Sequence, residues 1–296
     1  MNRLLEPVRA VVSIALLFCA CVAAAEGPAI WEYRGSSGKV LMLGSVHVLR
    51  QQDYPLPASV QAAYAAADTL VMEIDTSKLD PLAAQMLITK LATLEGGSSM
   101  SSIMGRRDFD RASHLASGLG FDLMMMESFE PWFAALTIMN LEMMKVGFNP
   151  ELGLESYLSG QAVADSKPIL GLETMEFQLR LFDAMPARVQ SMLLLQTLEE
   201  AGSIETEMDS MIRAWRDGDS SALSRIMGKS FSDYPEVYDA LVTRRNRAWS
   251  EKIVDLGTRP GTSLVVIGAL HLVGKDSLIR LLENRGKKIG TWSPDR

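Results

Sequence analysis

Two short apolar runs constrain this chain more than any other feature: "LMLGSVHVLR" at 41–50 and "LVVIGALHLV" at 264–273 each lead through glycine and two further residues to histidine. Runs of this length next to glycine read as buried strands, and ligands of open α/β sheets gather at the carboxyl ends of strands. Two of the chain's three histidines, His47 after Gly44 and His271 after Gly268, fall in this context. Glycine there allows a sharp turn and a close ligand approach, so Gly44 and Gly268 are predicted to be structural parts of one shared pocket. Imidazole in such a pocket serves as a metal ligand or as an acid or base near neutral pH. The third histidine, His114, lies off the helical stripe Phe109, Ala112, Ala116 and Leu119 and is predicted to be a surface residue.

The stretch between the motifs sets the fold class. "AIWEYR" and "KVLMLG" read as a hairpin, "ASVQAAYAAAD" as a helix, and "TLVMEID" and "KPILGLE" as strands. Residues of about 80–165 and 174–257 read as helical, and the chain closes with the second motif strand, a helix and "KKIGTW". The prediction is an α/β (α+β) fold, with a central mixed sheet and a largely helical insertion between the two Gly-x-x-His strand ends, all in one domain over 26–296. One helix separates the strand before His47 from the strand bearing Glu73, so these two are predicted to be parallel neighbours.

Composition narrows the function. At 48% apolar and 22% charged residues the chain is ordinary globular material. Residues 1–25 read as an export signal: Arg3 and Arg9 precede "VVSIALLFCACV", an apolar run too short to span a bilayer, and small residues precede Glu26. This predicts a periplasmic or secreted protein. A lipoprotein anchor at Cys21 is the lesser alternative, because "FCAC" lacks the usual leucine three residues earlier. Both cysteines, Cys19 and Cys21, fall in this segment, so cysteine chemistry and cysteine-ligated zinc are excluded for the mature chain. Loss of Arg3, Arg9 and Glu6 takes the formal charge from −7 to −8. Such a surface repels phosphate backbones, which argues against nucleic-acid partners, and no later run is long and apolar enough for an integral membrane span.

Four further residues stand out. Glu73 ends a strand otherwise suited to burial, and a buried carboxylate needs a cation. Glu173, after Gly171, repeats that pattern, or else it caps the helix that starts near 175. Arg245 lies on the apolar stripe of a helix with Tyr238, Leu241, Val242, Trp249 and Ile253, and Asn246 sits at the stripe's edge. A guanidinium there pairs with a site carboxylate or holds a substrate oxyanion. The chain's 18 methionines read as filling for a core or an adaptable groove.

The stretches "MLGSVHVL", "VMEID", "EPWFAAL", "ELGLESYL", "ILGLETMEFQL", "RRNRAW" and "VVIGALHLVG", in that order, resemble the TraB/GumN family. That family includes the Tiki-type membrane-associated proteases and shares a superfamily with erythromycin esterases and ChaN-like haem-binding lipoproteins. The resemblance implies a centre of His47, Glu73 and His271, with Glu173, Arg245 and Asn246 in support. For Tiki-like members it implies metal-dependent peptide-bond hydrolysis. A secreted or periplasmic, peptidase-like metallohydrolase acting on a peptide or small molecule is therefore expected. His47, His271 and Glu73 would hold Mn²⁺, Co²⁺ or Zn²⁺, Glu73 would be a ligand or the base, and Arg245 or Asn246 would steady the oxyanion. Two alternatives stay open. One is a metal-independent, esterase-like hydrolase that uses a His47–Glu73 base pair with His271 as electrophile. The other is a non-catalytic protein that sequesters a peptide, haem or signalling molecule.

Overall fold

A computed structural model describes residues 27–232 and 234–294. The expected export signal, with Cys19 and Cys21, lies outside them. Strands β1 (Ile30–Arg34) and β2 (Gly38–Ser45) form the expected hairpin. Helix α1 (Ala58–Ala65) leads to β3 (Thr69–Ile74). A helical excursion follows through α2 (Pro81–Ala92), α3 (Met100–Met104), α4 (Arg106–Gly118), α5 (Pro131–Lys145) and α6 (Leu154–Ala164). After β4 (Ile169–Glu173) comes a second excursion, of α7 (Met175–Asp183), α8 (Ala187–Glu200), α9 (Ile204–Arg216), α10 (Ser220–Ser230), α11 (Pro235–Tyr238) and α12 (Arg244–Leu256). The chain closes with β5 (Gly261–Gly268), α13 (Leu278–Asn284) and β6 (Ile289–Thr291).

The strands form one mixed sheet in the order β4-β3-β5-β2-β1-β6. The α/β class is thus borne out. The predicted strand adjacency is not, because β5 lies between β2 and β3 and pairs in parallel with both. The reason is burial on both faces: Leu264, Val265, Val266 and Ile267 are all fully buried, and a strand apolar on both sides belongs at the centre of a sheet. This exchange places the end of β5 between the ends of β2 and β3, which is where the site forms.

Alternation along the strands sends side chains to two helical layers. Leu41, Leu43, Leu70, Met72, Leu264 and Val266 pack with residues of α1, α6, α9 and α10. Val40, Met42, Val71, Val265 and Ile267 face the other way, onto α12 and α13. A third cluster, drawn from α3, α4, α5 and α8, contains Met100, Met104 and Met126 in its buried part. Met124, Met125 and Met144 are exposed, so the methionines divide between core and surface.

Gly44 has a steric reason to be glycine. A Cβ there would lie 2.8 Å from the Ala269 Cα and 3.0 Å from its Cβ, so the turn after β5 closes directly against β2. The Gly44 carbonyl accepts from the indole Nε1 of fully buried Trp215 at 2.7 Å. Gly44→Ala is expected to cost about 1–3 kcal/mol through overpacking, read as a lower urea midpoint. An unchanged midpoint would mean that the Ala269 turn shifts freely.

Candidate functional site

Glu73 and Glu173 stand at the ends of neighbouring parallel strands, with Ile74 paired to Glu173. Two carboxylates brought this close and buried need a cation, and Arg245 of α12 provides it. Its Nη2 donates to Glu73 Oε2 at 2.6 Å and to Glu173 Oε2 at 2.9 Å, and its Nε donates to Glu173 Oε2 at 3.0 Å. Its Nη1 donates to the Leu241 carbonyl at 3.1 Å and approaches His271 Nε2 at 3.2 Å. The guanidinium is 8% exposed and lies over the Trp249 ring, 4.5 Å from its centroid. A π-turn at Asp239–Thr243, with the Arg244 N–H bonded to the Asp239 carbonyl, precedes α12 and brings Leu241 and Val242 to the cavity. Simple helical spacing treats this stretch as one regular helix, so the sequence gives no sign of the turn.

The hydrogen bonds fix the state of His271. Asn246 is fully buried, and its Nδ2 donates to the carbonyls of His271 at 3.2 Å and Asp276 at 2.9 Å. Its Oδ1 therefore faces His271 Nδ1, at 2.8 Å, and that nitrogen carries the proton. Nε2 is left as an acceptor for Arg245. Burial first, then the cationic field of Arg245 and His47, holds this imidazole neutral, with its pKa lowered to about 3 against the opposing pull of Glu73.

His47 is built the opposite way. Its Nδ1 meets Glu155 Oε1 at 2.6 Å, and Ser45 Oγ donates to the same oxygen at 2.5 Å. The Glu155 carboxylate pushes the imidazole pKa up from 6.5 to about 9. The side chain is 66% accessible, because the ring faces the cavity, so water reaches Nε2 while Nδ1 is held. The loop is buttressed from 150–155. The Leu154 N–H donates to the Val46 carbonyl at 3.1 Å, and a Cβ on Gly153 would lie 2.1 Å from the His47 carbonyl oxygen.

These groups converge on Gly268. A Cβ there would be 3.3 Å from His47 Nε2, 3.4 Å from Glu73 Oε1 and 3.6 Å from His271 Cδ2, so any side chain would fill the centre of the site. The Gly268 N–H donates to Glu73 Oε1 at 2.8 Å, and Gln178 Nε2 donates to Glu73 Oε2 at 3.0 Å and Glu173 Oε2 at 3.2 Å. Burial opposes the charge on Glu73, but the cationic fields of His47 and Arg245 with the Gly268 amide outweigh it and hold the carboxyl below its usual range. The cavity above has a volume of about 430 Å³.

The candidates His47, Glu73, Glu173, Arg245, Asn246 and His271 are thus brought together around Gly268. Glu173 is a partner of Arg245, and the helix after it is capped by the Thr174 side chain instead. His114 is exposed and remote from this group. Two details differ from expectation. The carboxylate on His47 is Glu155, since Glu73 is drawn to Arg245 and the Gly268 amide. Asn246 is turned to backbone carbonyls and His271, so its amide has no proton for an oxyanion. Glu155, Ser45 and Gln178 were missed. Glu155 lies at the start of a helix, where a carboxylate is ordinary, and only the fold carries it to His47.

A divalent ion would need the Nε2 lone pair of His271 and an oxygen of Glu73, and Arg245 already engages both. Among the described residues no group of three or more His, Cys, Asp or Glu side chains is spaced to hold a metal ion. As arranged, the donors are satisfied by the guanidinium and do not fit a metal.

A model of the TraB/PrgY/gumN family matches residues 29–290. The uncharacterized protein YbaP of Escherichia coli (strain K12) is 25% identical over 241 residues, 81% of this chain and 86% of that protein. An uncharacterized protein of Treponema pallidum (strain Nichols) is 22% identical over 279 residues, 86% of this chain and 80% of the other. No solved structure matches the chain.

Two outcomes follow from this geometry. Arg245→Ala leaves two buried carboxylates without their cation and is expected to cost about 3–5 kcal/mol, measured by urea unfolding. A loss under about 1 kcal/mol would mean that the carboxylates are solvated. In an NMR titration, assigned with His47→Ala and His271→Ala, His271 is expected to stay neutral with Nδ1 protonated from pH 7 down to its pKa of about 3, while His47 stays protonated up to about 9. Both histidines titrating together near 6.5 would contradict the Glu155 and Asn246 assignments.

Proposed function

The chain belongs to the TraB/PrgY/gumN family, and we propose that it is an exported hydrolase, periplasmic or secreted, that cleaves a peptide-like amide or an ester with water. The observation that carries this reading is the His47–Glu155 pair. A carboxylate locks Nδ1 and leaves Nε2 facing a water-accessible cavity, which is the arrangement of an imidazole general base. In its free-base form Nε2 removes a proton from water, and the resulting hydroxide adds to the substrate carbonyl carbon. The bond to the amine or alcohol then breaks as the imidazolium returns the proton to the departing nitrogen or oxygen. Products are a carboxylic acid and the released amine or alcohol. Arg245, with every N–H committed to Glu73, Glu173, the Leu241 carbonyl or His271, is a positioning residue that fixes Glu73 in the floor beneath the carbonyl. Neutral His271 keeps that guanidinium in place without adding a second cation.

A second reading, in which Mn²⁺, Co²⁺ or Zn²⁺ binds after Arg245 swings aside, draws support from the convergence of His47 Nε2, Glu73 Oε1 and His271 on Gly268. The two are separated by assaying peptide and ester panels on desalted protein, with chelator and with each metal restored. Activity that survives the chelator supports the first reading. Activity and bound metal lost together support the second. Tight ligand retention with no turnover would sink both in favour of sequestration.

The pH profile gives a sharper test. Because His47 must lose its proton to act as base, the rate is expected to rise with pH and level off above about 9. His47→Ala should abolish it. Glu155→Gln should lower the plateau and move the limb down toward 6.5, the ordinary imidazole value. A limb that stays put in Glu155→Gln would remove His47 as the base.

A further inference from the structure

Charge in the cavity is confined to one end. His47, Glu73, Arg245 and His271 form the floor around Gly268, and among the described residues no other lining residue carries an ionisable group. Apart from Gln178 and Ser45, whose side chains are bonded to Glu73, Glu173 and Glu155, the larger wall side chains are carbon: Leu181 and Phe182 from α7, Met211 from α9, Phe231 after α10, Leu241 from the π-turn and Leu270 after β5. These six come from five separate elements, so their shared apolar character is not the stripe of one amphipathic helix. Each is half-buried, not sealed in the core. Phe182, Phe231 and Leu241 pack from outside onto the buried cluster of Met185, Val189 and Val237, which supports that wall from behind. A charged or strongly hydrated group placed there would lose water without gaining a partner, whereas an apolar group would release water from both surfaces.

We infer that these six residues form a specificity subsite for a bulky aliphatic or aromatic group attached next to the scissile carbonyl, so that the substrate is an amide or ester of a hydrophobic acyl or amino-acyl unit. The inference rests on the hydrolase reading for the scissile bond and goes beyond it by naming the group that is held. The carbonyl would lie over His47 and Arg245, and the apolar group would extend up the wall toward Phe182 and Phe231. Each methylene buried there is expected to tighten binding about fourfold. Leu241 is the residue best placed to set the preference, because the carbonyl of the same residue holds Arg245 while its side chain faces the cavity.

The test uses the full-length chain and two probe series. Methyl ketones from butanone to decanone carry the carbonyl and the chain but no leaving group, and their Kd is read by titration calorimetry. The para-nitrophenyl esters from acetate to octanoate report kcat/KM. Leu241→Asn and, independently, Phe231→Ser are compared with wild type and with Leu82→Asn, at an exposed residue of α2 away from the cavity. Unfolding midpoints confirm that each variant is folded. The expected result is affinity that rises with ketone length in wild type and Leu82→Asn and is flattened in both wall variants. Kd independent of length, or length dependence untouched in both folded wall variants, would overturn the subsite. Length-dependent ketone binding without turnover of any ester or peptide would keep the subsite and remove the hydrolase reading. Ester turnover without length dependence would do the reverse.

Discussion

The ion triad of Glu73, Arg245 and Glu173 is the constraint around which the site is arranged. A parallel pair of strands places two carboxylates side by side in a protein interior, and neither could stay charged there alone. One guanidinium meets both, and each of its N–H groups has an acceptor among the two glutamates, the Leu241 carbonyl and His271 Nε2. The position of α12 over the sheet, the π-turn before it and the neutrality of His271 all answer to that demand. A lysine with three donors on a point charge could not satisfy the same set of acceptors.

The two histidines that look alike in sequence end in opposite electrostatic states. Glu155, held in place by the Ser45 hydroxyl that donates to it, gives His47 Nδ1 a charged acceptor and leaves the second nitrogen in water. Asn246 offers His271 a neutral acceptor, and Arg245 takes the other nitrogen. Environments that push two like groups apart in basicity leave one charged and the other neutral over a wide pH range. The Gly-x-x-His repeat is therefore a repeat of placement, not of electrostatic state.

Much of this was legible in the sequence, and the reasons for what was not are physical. Apolar runs ending in glycine located β2 and β5, and the carboxylates at strand ends located Glu73 and Glu173, because each breaks a local pattern that burial would otherwise enforce. Arg245 was visible as a charge on an apolar stripe. Glu155 broke no pattern, since an acidic residue in the first turn of α6 is locally content, and its partner is far away in the chain. The order of strands was misjudged for a related reason: pairing by proximity along the chain favoured β2 beside β3, while the doubly buried side chains of β5 demanded the centre. Gln178 was hidden as an ordinary polar residue on a helix.

The insertion of β5 between β2 and β3 also bears on how the site is assembled. His47 and Glu73 lie near one another in sequence, but the strand that separates them, the amide that Glu73 accepts from and the second imidazole all come from residues 261–271, nearly two hundred positions later. A chain cut before β5 consequently lacks the Gly268 amide and His271, so this group of side chains depends on the central strand of the sheet.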